Sequence, residues 1–217
     1  MDKIQTELVR VSTTGPEPLL LTDAKLWLRV DGTEEDKLIE DLIMAARQYA
    51  ENFCRRSFTQ GEVWRLTLDH FPYPQFTSAV PSQPFQLEIL PIRPQDVALS
   101  IPMGPVSAIT NVAYLDGAGV AQVLSSSGYT VLNTDEGDTK LFPAFGSTWP
   151  ATQPSVGAVV VTFVAGYAPP ETVIIAMKQI LSHWYNNREA VAMQNGMPQK
   201  VPYAAELLLW QERLLEV

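Results

Sequence analysis

Two long apolar stripes of helical spacing stand far apart in this chain, with strand-like sequence between them, and that order restricts the fold more than any other feature. In the first, Leu38, Ile39, Leu42, Ile43, Ala46, Tyr49, Ala50 and Phe53 recur every three or four residues, which predicts a helix from Glu34 to about Arg56. Thr33 suits its N-cap. Glu34, Glu35 and Asp36 fill the first turn, where carboxylates meet the positive end of the helix dipole, and Arg55 and Arg56 complement the other end. In the second, Val173, Ile174, Met177, Ile180, Leu181, Trp184 and Tyr185 form an apolar face on a helix that opens at Pro170 and ends near Asn187. Two such faces are buried against each other or against a partner. The expected fold class is therefore α+β: a helical base built from residues 21–60 and 168–217, with an antiparallel β domain, residues 61–167, inserted between its halves.

The smaller signals fit that frame. Residues 1–20 are polar with Gly15, Pro16 and Pro18, and are expected as an extended or flexible arm. Thr22 to Val30 reads as a short helix with Leu21, Ala24, Trp27 and Leu28 inward, broken by Asp31 and Gly32. At Gly61 the period drops to two, with Trp64, Leu66 and Leu68 alternating against Arg65, Thr67 and Asp69. Residues 71–105 hold eight of the 17 prolines and are expected as an exposed loop with a strand at Phe85 to Leu90. Ile109 to Leu115, Val120 to Leu124, Tyr129 to Leu132 and Lys140 to Phe142 are strand-like runs whose spacing suits an antiparallel meander. Val156 to Val164, apolar on both faces, is expected in the centre of a sheet. The final segment from Pro202 to Val217 is helical, with Leu207, Leu208, Leu209, Trp210, Leu214 and Leu215 around most of its circumference, so something must cover it.

Charge and residue usage exclude several functions. Lys+Arg is 15 against Asp+Glu 24, a formal net charge of -9, which is the wrong sign for a protein that grips phosphates through a basic patch. A single cysteine, Cys54, rules out an internal disulfide and multi-cysteine metal sites, and no apolar run reaches the roughly 20 residues that span a bilayer. His70 and His183 leave little room for histidine catalysis, and both read as structural or surface residues; Cys54 beside Phe53 reads as packing. Asp31, Glu34, Glu35 and Asp36 are explained by helix-start chemistry, and Asp135, Glu136 and Asp138 by a turn around Gly137. Serine-elbow, P-loop, dinucleotide and HExxH motifs are absent from the sequence. No catalytic residue, cofactor or metal is expected. Trp149, Trp184, Trp210, Tyr167 and Tyr185 are read as core or interface, with a ligand-stacking platform as the alternative.

In sequence order, these signals resemble the head-tail connector, or adaptor, proteins of tailed bacteriophages and gene transfer agents. The resemblance spans about Leu21 to Arg188. It rests on Leu21-Thr22-Asp23-Ala24-Lys25, on Asp31-Gly32 with Glu34-Glu35-Asp36, and on the helix through Ile43-Met44-Ala45-Ala46-Arg47 to Cys54-Arg55-Arg56. It continues through Pro105-Val106-Ser107-Ala108-Ile109, Val112 to Gly117, Gly128-Tyr129-Thr130-Val131, Trp149-Pro150, Val159 to Tyr167 and His183 to Glu189. Tyr73 to Ala98 departs from it as an added loop.

The resemblance implies a non-enzymatic virion protein at the head-tail junction, a ring of about twelve copies below the portal that extends the DNA channel. Its implied partners are further copies of itself, the portal protein, a downstream neck, stopper or tail protein, and double-stranded DNA that passes without tight binding; no membrane is involved. Portal contact is expected at Tyr203, Leu207, Leu208, Trp210, Leu214 and Leu215, an assignment made from their apolar surface. Subunit contact is expected along the long helices at Leu42, Arg47, Tyr49, Trp184, Tyr185 and Arg188. A carbohydrate- or ligand-binding β domain, or another neck or tail subunit, is the alternative.

Overall fold

The computed structural model describes residues 6–73, 97–134, 137–187 and 202–214. The strand expected at Phe85 to Leu90, most of the Pro-rich stretch, Arg188 and Leu215 lie outside them. The elements run β1 (Thr6–Ser12), α1 (Leu21–Leu28), α2 (Asp36–Cys54), β2 (Glu62–Leu68), β3 (Leu99–Ile101), β4 (Val106–Leu115), β5 (Ala121–Val123), β6 (Tyr129–Asn133), β7 (Thr139–Pro143), β8 (Val159–Ala165), α3 (Glu171–Asn186) and α4 (Tyr203–Trp210).

Both helical stripes are covered from within the chain. Ile39, Ile43, Ala46, Ala50 and Cys54 of α2 meet Val173, Ala176, Met177, Ile180 and Leu181 of α3, and Ala24 of α1 with Ala205 and Leu209 of α4 complete the cluster. The start of α2 differs from expectation. Thr33 supplies no side-chain cap; its carbonyl accepts from Asp36 N at 3.3 Å and Glu35 occupies the cap position. The stretch after Asp31-Gly32 closes as a turn before the helix begins.

The strands form a five-stranded sheet of order β1-β2-β8-β4-β5 and a three-stranded sheet of order β3-β7-β6, with every pairing antiparallel. This corrects the expected meander. The β4–β5 and β6–β7 hairpins belong to different sheets, and β8 inserts between β2 and β4, which are distant in sequence. Register explains why. Val161 pairs with Leu66 on one side and Val112 on the other, and all three are buried, so β8 joins two strands whose apolar faces match its own. A second apolar cluster, including Trp64, Leu66, Phe163, Leu99, Ile101 and Leu141, draws on both sheets.

The N-terminal stretch is also corrected: Thr6–Ser12, expected within a flexible arm, is an edge strand paired along β2 from Thr6↔Leu68 to Ser12↔Val63. Sheet and helices meet where β8 gives way to Tyr167. There Gly166 has φ +105°, and a Cβ on it would stand 1.9 Å from the Thr59 carbonyl oxygen, so only glycine fits.

Candidate assembly surfaces

The C-terminal segment is seated by polar contacts as well as by packing. Cys54 Sγ donates to the Leu209 carbonyl at 3.4 Å, Tyr49 Oη to Glu206 Oε1 at 3.0 Å, and Arg56 Nε to the Glu212 carbonyl at 2.6 Å. Leu214 N reaches back to Cys54 O at 2.9 Å. Arg213 lies over Trp210, 4.6 Å from its ring centre, and Trp210 meets Phe53 edge-on at 5.9 Å. Burial pushes the Cys54 thiol up to about 12, helped by the Glu212 carboxylate, so it is a packed, unreactive group and no nucleophile.

This seating divides α4 into two faces. Ala205 and Leu209 are fully buried and Leu208 is half-buried, whereas Tyr203, Leu207 and Trp210 are 72%, 48% and 50% exposed. Those three sit at spacings of four and three residues, so they form one outward stripe. Of the portal candidates, the structure brings Tyr203, Leu207 and Trp210 together on the surface, packs Leu208 on the helical cluster, and leaves Leu214 half-buried, tied to Cys54 through its backbone.

The expected subunit-contact residues are largely engaged inside the chain. Arg47 is 4% exposed and its guanidinium points inward, which removes it as an interface residue. Tyr49 packs edge-on against Trp184 at 6.1 Å, Tyr185 Oη donates to Glu35 Oε2, and Leu42 packs half-buried on the helical cluster. The proposed stacking platform is likewise dispersed. Trp149 is stacked on Phe71 with ring centres 4.8 Å apart and donates Nε1 to the Val97 carbonyl at 2.7 Å, and Tyr167 meets Phe58 edge-on.

Sequence reasoning missed a buried ion cluster between β1, α2 and β2. Glu51 Oε2 accepts from Arg10 Nη2 at 2.7 Å and Arg47 Nη1 at 2.8 Å, and Glu51 Oε1 from Phe58 N at 3.0 Å. Glu62 Oε2 accepts from Ser57 Oγ at 2.7 Å and Trp64 Nε1 at 3.1 Å; Arg47 Nε donates to Glu17 at 2.8 Å, and Arg10 covers the Trp64 ring at 4.8 Å. Burial raises the Glu51 carboxyl above its ordinary value, and neighbouring Glu62 adds to this, against the pull of Arg47, the Phe58 amide and Arg10. Arg47 is also raised: burial opposes its charge, but the bonds and charges of Glu17 and Glu51 outweigh it. The visible signal was Arg47 and Glu51, an i,i+4 pair of opposite charge beside the apolar stripe of α2. Every hydrogen-bond partner here is structural, and the cluster works as a clamp. Among the described residues no group of three or more His, Cys, Asp or Glu is placed to hold a metal ion, and no helix is long and apolar enough to cross a membrane.

The α+β fold of this chain is shared with chains in solved neck and virion structures of gene transfer agent particles. Residues 19–90 match the phage gp6-like head-tail connector protein family. A chain in the neck of an empty GTA particle, computed with C6 symmetry, is 19% identical over 97% of both chains with a TM-score of 0.69. A chain in the virion of a native gene transfer agent particle is 20% identical over 97% of this chain and 96% of that one, with a TM-score of 0.67. A chain in the neck of a native GTA particle, computed with C12 symmetry, is 18% identical over 97% of both, with a TM-score of 0.64. No curated protein matches the chain. The resemblance to head-tail connectors read from the sequence is thus borne out, and the α+β fold extends over nearly the whole length.

Proposed function

We propose that this chain is a non-enzymatic neck subunit of a tailed phage or gene transfer particle, an adaptor that forms a ring of about twelve copies below the portal, extends the DNA channel and joins head to tail. The family match over residues 19–90 and the end-to-end likeness to chains of GTA necks support the reading. The observation that carries the attachment step is the stripe Tyr203–Leu207–Trp210, an exposed apolar face on a helix already anchored through Ala205 and Leu209. On this reading the stripe docks on the portal. A net charge of -9 suits a channel through which DNA slides, because few cations are present to hold phosphates. It also sets copies against each other, so ring closure is favoured by salt or by docking on a portal template.

The test uses point variants, since deleting α4 would unroof Cys54 and the helical core. Tyr203→Ala, Leu207→Ala and Trp210→Ala, singly and together, are expected to keep the circular dichroism of the parent and to lose binding to purified portal rings. Portal binding equal to the parent's in the triple variant would overturn the assignment.

A further inference from the structure

Resting on the reading that copies of this chain form a ring, we infer that the adjacent copy seats on the edge strands β5 and β6, where Ala121–Asn133 presents exposed valine and leucine side chains and carries no charged residue of its own. β5 ends the five-stranded sheet and β6 ends the three-stranded one, and the five residues from Leu124 to Gly128 join these two sheet edges. All of β5 and all of β6 beyond Tyr129 are exposed. Val120, Val123 and Leu132 are 54%, 69% and 49% exposed. At the start of β6, Gly128 O accepts from Ala144 N, and the turn from Ala144 to Ser147 lifts Phe145 wholly into solvent.

Charge selects the occupant. The chain has 15 Lys+Arg and 24 Asp+Glu, yet Gly117 to Asn133 contains none of them. Two copies of net charge -9 repel wherever their carboxylates face each other, whereas this edge brings few ions to the contact: the charges beside it include Asp116, which accepts from Gln122 of β5, and Lys140, which stands opposite Leu132 and is paired with Asp138. Contact between like-charged copies is therefore least opposed here, and depletion of charge is what marks the centre of a protein interface. The far edge of the larger sheet is different: β1 carries Glu7 and Arg10. β6 has neither lysine nor proline, and its pairing with β7 runs without a bulge, so it lacks the usual guards of an exposed edge. The helical residues first expected at this contact, Arg47, Tyr49 and Tyr185 among them, are engaged within the chain. In a cyclic ring the patch meets a different surface of the next copy, so each subunit uses it once.

Val123→Lys and Leu132→Lys place a charge on the edge at positions already exposed, and Leu26→Lys, at a residue 81% exposed on α1, is the control. Each full-length variant is checked for fold by circular dichroism. Association is then followed by sedimentation velocity over protein concentration and salt, alone and with purified portal rings. The edge variants are expected to associate at least about tenfold more weakly than the parent, as for a charge left in an apolar interface, with Leu26→Lys unchanged. Edge variants that assemble like a ring-forming parent, or a loss confined to Leu26→Lys, would overturn this inference and leave the ring standing. A parent that stays monomeric under every condition, portal included, would overturn the ring reading and this inference with it.

Discussion

Arg10 on β1 places Nη2 2.7 Å from Oε2 of Glu51 on α2, an ion pair across 41 positions of sequence that fixes the first strand to the first long helix. The same guanidinium approaches Glu62 Oε1 at 3.5 Å. Both carboxylates are buried, so the arginine balances charge that water cannot reach.

Arg10→Ala is accordingly expected to destabilise the fold by about 3 kcal/mol, because it leaves buried carboxylates with less compensation. Urea unfolding measures this; a change below about 0.5 kcal/mol, typical of an ordinary surface substitution, would contradict it.

Glu51 makes part of the stability depend on pH. Its carboxyl is raised above the ordinary 4.5, with burial as the largest cause, so the folded state binds this proton more tightly than the unfolded chain does. The contribution is complete below the unfolded value and is lost as pH rises through the folded one. Against Glu51→Gln, which does not titrate, the stability of the parent is expected to be relatively greatest near pH 4, to fall with rising pH and then to level. A difference that grows with pH would reverse the sign.

The Cys54 thiol, fully buried and pushed up to about 12, is expected to ignore a disulfide reagent at pH 8 in the folded protein and to react fully on unfolding. Leu209→Ala truncates a fully buried side chain on the residue whose backbone carbonyl accepts from Cys54 Sγ; it should cost about 3 kcal/mol and speed labelling through local opening of α4. Labelling rates that follow global unfolding in both proteins would show that α4 does not open separately.

Gly166→Ala should cost more than about 2 kcal/mol. The added Cβ would meet the Thr59 carbonyl oxygen at a backbone angle that L side chains rarely adopt, and neither helix nor sheet can retreat without loosening the joint between them. Thermal unfolding reads the effect directly, and a neutral outcome would show that the Ser57–Thr59 link yields.

Much of the fold was legible because local patterns carry it. The α2 and α3 stripes, the alternation of Trp64, Leu66 and Leu68 and the apolar run of β8 each follow from residues within a few positions of one another. The surface of α4 was half legible: its apolar circumference announced that it would be covered, while the division into a seated Leu209 and an outward Leu207 depended on where α2 and α3 stand.

By itself the sequence determined the long helices and most of the strands, that two helical faces must be buried against each other or against a partner, and that the chain is too acidic and too poor in histidine and cysteine for several kinds of chemistry. Tertiary structure alone decided that β8 lies between β2 and β4, that Thr6–Ser12 is a strand, and that Arg10, Arg47, Glu51 and Glu62 share one buried site. The physical reason is range. Helical and strand periodicity is set by neighbours in sequence, whereas a strand's partners and a buried charge's counterion are chosen by burial among groups that meet only after the chain has folded.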